Sequence, residues 1–104
     1  MRGIEIQMRD EQWVWVVVHG PEGREQLLGQ QDTEGNVGFV PCFLSKEEAI
    51  NGLSHLTRVG SEIHTVQAMI FEDLKRYSAQ NGFKIFILKA TGEIIDRVPA
   101  SPEG

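Results

Sequence analysis

The chain has 104 residues, enough for one domain with a core of ordinary size and too few for two. Hydrophobic residues make up 40% and charged residues 24%, a globular balance that argues against wholesale disorder. Ten Lys and Arg against fifteen Asp and Glu give a net charge of −5. The basic residues are scattered, with only Lys75 and Arg76 adjacent, so a dedicated binder of nucleic-acid backbone is not expected.

Residues 1–10 open with a brief alternation of Ile4, Ile6 and Met8, a short candidate strand. Trp13-Val-Trp-Val-Val-Val-His19 is the strongest strand signal, rich in β-branched and aromatic residues. Trp13, Trp15, Val17 and His19 share one face and Val14, Val16 and Val18 the other, so this strand belongs inside a sheet. The turn Gly20-Pro-Glu-Gly23 follows, then a weaker strand over 26–30 and a hairpin partner over 37–40. Pro41 lacks an amide donor and is expected at a strand end or edge.

Ser45-Lys-Glu-Glu48 has capping-box spacing, with Leu44 and Ala49 at the staple positions. Ala49, Ile50, Leu53 and Leu56 continue at helical spacing, interrupted by Gly52, until Gly60. A strand over 62–67 leads into a second helix over 70–80, whose apolar stripe is Ile70, Phe71, Leu74 and Tyr77. Glu72 and Asp73 sit early in it, which suits the helix dipole, and Asn81-Gly82 ends it. Residues 83–88 and 93–98 then read as an antiparallel hairpin through Thr91-Gly92.

The expected fold is α+β: an antiparallel or mixed sheet of five to six strands with both helices on one face. Residues 1–98 form the domain, and the proline-containing stretch 99–104 is expected to be a disordered tail.

No phosphate-loop pattern and no metal-ligand spacing among His19, His55, His64 and Cys42 is present, so no cofactor and no metal are expected. The longest apolar run, Trp13 to Val18, is far short of a membrane helix, and the N-terminus lacks a signal-peptide pattern. A lone cysteine builds no disulfide framework, so the expected compartment is the cytoplasm.

Two groups remain as candidate binding residues. Cys42, with His64 or His19 as base, has the residue types of a thiol nucleophile; the competing reading is a small core residue. Trp13 and Trp15 concentrate amphipathic surface on one strand face, either as core under the helices or as a patch for a partner, including a second copy of the chain.

Phe39-Val-Pro-Cys-Phe43 followed by Ser45-Lys-Glu-Glu-Ala49 resembles the SseB-type N-terminal domain family. So does the stretch from Val66 to Leu88, a strand, a Phe-Glu-Asp-Leu helix, Asn81-Gly82 and an apolar strand. The resemblance covers about half the chain and departs from the family at Trp13-Val-Trp15 and at Cys42. It implies a small bacterial α+β domain with an interaction or regulatory role and supplies no catalytic residue set. The sequence therefore points first to a cytosolic interaction or accessory module. The alternative is a small-molecule-binding or thiol-dependent enzyme with a pocket near Cys42, His64 and Trp15.

Overall fold

The computed structural model describes residues 8–32, 37–60 and 62–98. The candidate strand before Met8 and the expected tail over 99–104 lie outside these residues. In chain order the elements are β1 (Trp13–His19), β2 (Gln26–Leu27), β3 (Gln30–Asp32), β4 (Val37–Phe43), α1 (Lys46–Gly52) with a 3₁₀ turn (Leu53–His55), β5 (His64–Ile70), α2 (Phe71–Asn81), β6 (Lys84–Leu88) and β7 (Ile94–Val98).

The strands form one mixed sheet of seven, an α+β fold as expected. β1 pairs antiparallel with β5 along its whole length. On its other edge it pairs with β4 near its start, Trp15 opposite Phe43, and with β2 at its end, Val18 opposite Leu27. β4 runs parallel to β6, and β6 pairs antiparallel with β7. The strand expected over 26–30 is broken at Leu28 and Gly29. Its halves fill the wedge where β1 and β4 diverge, β2 pairing with β1 and β3 with β4.

Pro41 is a correction to the expectation of a strand end, because β4 runs through it to Phe43. On the β1 side it falls between Phe39, the last residue paired with β3, and Cys42, the first paired with β1. The ladder on that edge has no registered partner for Pro41, so the missing donor costs it nothing there.

The helices also depart from expectation: they lie on opposite faces of the sheet. α2 places Phe71, Leu74 and Tyr77 against Val14, Val16, Val18, Val40, Cys42, Ile85 and Ile87. α1, the 3₁₀ turn and the residue after it place Ala49, Leu53 and Leu56 against Val17, Phe43, Phe86 and Leu88. The reason is in the alternation: β1, β4 and β6 are apolar on both sides, and an apolar face without cover is unstable in water.

The helix boundaries follow local chemistry. Ser45 Oγ accepts from the Glu48 amide at 3.2 Å and starts α1. Gly82 ends α2 in the left-handed conformation, φ 73°, donating its amide to Ser78 O. The α2 N-cap, Ile70, offers no side-chain cap. The first-turn amides of Phe71 and Glu72 instead donate to the carbonyls of Gln12 at 2.8 Å and Asp10 at 3.0 Å.

Candidate interaction surface

Antiparallel pairing with β1 makes β4 and β5 run in the same direction, so α1 and α2 both start at the end of the sheet where β1 begins. Trp13 stands at that end. β4 stops at Phe43 opposite Trp15, so among the described residues Trp13 has a strand beside it on one side only, through Ile70 of β5. Its side chain is left 59% exposed. Its backbone is nevertheless fixed, because the ladder continues into Gln12, whose carbonyl caps α2. Lys75 Nζ holds Asp10 at 2.6 Å just before it. Leu44, directly after β4, is 37% exposed at the same end.

Trp15 shares Trp13's face but not its environment. It is half-buried against the cluster of Val17, Phe43 and Ala49, with Lys46 Nζ 5.8 Å from the ring centroid. The two tryptophans thus divide the alternatives between them, Trp15 as flank of the core and Trp13 as open surface.

Cys42 lies on the other face, fully buried beneath α2. Desolvation by burial pushes its thiol from 9.0 up to about 12. A thiol in that setting is protonated at neutral pH and a poor nucleophile.

His64 sits at the far end of β5, roughly 20 Å along the strand direction from Trp13 at ~3.3 Å per residue. Both of its ring nitrogens are engaged by backbone. Nδ1 lies 2.8 Å from Glu62 O and Nε2 accepts from the Val59 amide at 3.1 Å. With Nε2 accepting, Nδ1 is the nitrogen that donates to Glu62 O, and the ring is a staple for the loop before β5. His19 stacks on it at 5.6 Å between centroids and bonds Glu62 Oε1 through Nδ1 at 2.7 Å. The sequence flags each histidine but not the stack, which follows from the register that sets His19 opposite His64.

The four residues singled out from sequence therefore do not converge: Cys42 is under α2, Trp15 under α1, and Trp13 and His64 are at opposite ends of β1 and β5. Among the described residues, two of the clefts lie elsewhere. One of about 560 Å³ lies among Gly29, Gln30, Thr57, Arg58 and Phe83. There the Gln30 amide clamps Thr57, donating to its carbonyl and accepting from its amide, each at 2.8 Å. The other, of about 290 Å³, lies among Val18, Leu27, Met69 and Tyr77. Neither cleft is lined by Trp13, Trp15, Cys42 or His64. Among the described residues no group of three His, Cys, Asp or Glu is placed to hold a metal ion, and no helix is long and apolar enough to cross a membrane.

The chain matches no protein-family model, no curated protein and no solved structure.

Proposed function

We propose that this chain is a protein-interaction module of accessory or regulatory type, with Trp13 as an anchor of its contact surface. The observation that carries this reading is an indole 59% exposed on a backbone fixed from both directions. An exposed tryptophan costs hydration free energy, and a pre-ordered one loses little conformational freedom when a partner covers it. Such residues are the usual energetic centres of protein contacts. The resemblance of Phe39–Ala49 to the SseB-type domain supports the same reading, and the absence of a disulfide framework supports a cytoplasmic setting.

The test is quantitative affinity capture from the native host with wild-type chain and Trp13→Ala. The reading predicts a specific partner whose recovery falls at least tenfold with Trp13→Ala while the thermal midpoint stays within a few degrees. Equal recovery by both proteins, or no specific partner, contradicts it.

The alternative based on a reactive thiol needs Cys42 at a surface. Its burial under α2 and its raised pKa favour the interaction reading.

A further inference from the structure

Among the described residues β5 and β7 lie at the two ends of the sheet, and they differ in chemistry. β7 carries Asp96 and Arg97, and Asp96 Oδ1 accepts from the Arg97 amide at 2.9 Å, occupying a backbone donor of that edge strand. Charges and consumed amides of this kind keep an edge from pairing with another chain. β5, His64-Thr-Val-Gln-Ala-Met-Ile70, contains no Asp, Glu, Lys, Arg or Pro.

Among the described residues β5 pairs only with β1, and the register shows which of its groups face outward. The Gly20 amide donates to Ile63 O at 3.3 Å and the Phe71 amide to Gln12 O at 2.8 Å. In an antiparallel ladder such hydrogen-bonded pairs recur at every second residue, so residues 65, 67 and 69 also turn their main-chain groups toward β1. The amides and carbonyls of His64, Val66 and Ala68, and the Ile70 amide, therefore point to the edge with which no described strand pairs. The Ile70 carbonyl is committed to the first turn of α2 as its N-cap.

The geometry points to a second copy of this chain as the occupant of that edge, β5 pairing antiparallel with β5 about a twofold axis at Gln67. This register uses the whole strand. On one face it sets Thr65 opposite Met69, on the other Val66 opposite Ala68, and at the axis the two exposed Gln67 amides meet. Although each copy carries a charge of −5, no charged side chain of either strand is set against another. A strand-edge contact buries less than the roughly 1,000 Å² of a stable interface. The dimer is accordingly reversible, in the micromolar range, and strengthened by salt, which screens the like net charges. The inference rests on the interaction-module reading and names one partner within it.

Sedimentation velocity on the full chain, from about 5 to 500 µM, tests it. Wild type shifts from monomer to dimer over that range, and more readily at higher salt. Gln67→Lys, which sets two ammonium groups across the axis at an exposed position, stays monomeric with an unchanged circular-dichroism spectrum. Gln67→Cys, at a non-hydrogen-bonded pair with Cα atoms about 4.5 Å apart, oxidises to a disulfide dimer. A Gln80→Cys control on the exposed side of α2 does not, and buried Cys42 takes no part. A wild type that remains monomeric at the highest concentration overturns the inference. So does a dimer indifferent to Gln67→Lys and not trapped by Gln67→Cys. A monomer that still captures a partner through Trp13 overturns the β5 pairing alone, whereas a β5 dimer with Trp13-independent capture overturns only the role given to Trp13.

Discussion

The ring of Phe43 lies against the bare Cα of Gly52. A Cβ at position 52 would stand 2.5 Å from Phe43 Cε2 and 2.9 Å from Cζ. Read from helix propensity alone, Gly52→Ala gains about 1 kcal/mol. The contact reverses the sign, because Phe43 is fully buried and overpacking a core costs about 1–3 kcal/mol. Chemical denaturation should find Gly52→Ala less stable than wild type, with much of the loss recovered in the double variant Gly52→Ala, Phe43→Leu. A more stable single variant would contradict this packing.

Gly52 also shows where sequence reasoning stops. The Ser45 cap, the Gly82 stop and the strand of Trp13–His19 were legible because each depends on neighbours within a few positions. What Gly52 meets depends on a residue of another element. The same holds for the break at Leu28-Gly29, for Pro41 inside β4 and for the placement of the helices on two faces. The double-sided apolar pattern of β1 held the clue to that placement, since one layer of helices covers one face only. At the candidate surface, the tryptophan pair was visible in the sequence. Which of the two stays open was not, because it is decided by β4 stopping opposite Trp15. Cys42 and His64 drew attention by residue type, and burial and register assigned them to the core and to a loop staple.

Cys42 gives the fold an alkaline limit. Its thiol is raised in the folded chain from 9.0 to about 12, so its neutral form is the one the core holds. Below pH 9 the thiol is protonated in both states and its contribution is fully present. Between pH 9 and 12 the unfolded chain releases a proton that the folded chain retains, and stability falls by about 1.4 kcal/mol per pH unit. Cys42→Ala lacks this slope. Urea unfolding should therefore show the stability difference between wild type and Cys42→Ala shrinking by about 1.4 kcal/mol from pH 8 to pH 10. A constant difference would argue against deep burial of the thiol.

Ser78 carries the reverse situation, a polar group whose removal helps. It is fully buried in α2, and its Oγ has no hydrogen-bond partner among the described residues. Ser78→Ala removes an unpaired hydroxyl and improves helix propensity, and it should stabilise the chain by about 1 kcal/mol. A loss of stability on thermal or urea unfolding would show that the hydroxyl makes a bond that matters.

His64 should act on the loop before β5 and not on any chemistry. His64→Ala removes the acceptor of the Val59 amide and the ring bonded to Glu62 O, and each such hydrogen bond contributes about 1 kcal/mol net. Amide hydrogen exchange should show lost protection at Val59, with the β4 and β6 amides unchanged. Retained protection at Val59 would mean that the staple is not what holds the loop.

The central claim is that Trp13 is contact surface and Trp15 is a half-buried flank of the core. It is tested most directly by the fluorescence of two single-tryptophan chains, Trp15→Phe and Trp13→Phe, titrated with the captured partner. The chain retaining Trp13 should emit as a solvent-exposed indole, be readily quenched by acrylamide, and shift to the blue and lose quenching as the complex forms. The chain retaining Trp15 should be the more shielded of the two from the start and change little throughout. A complex that forms while Trp13 stays red-emitting and quenchable would contradict the account.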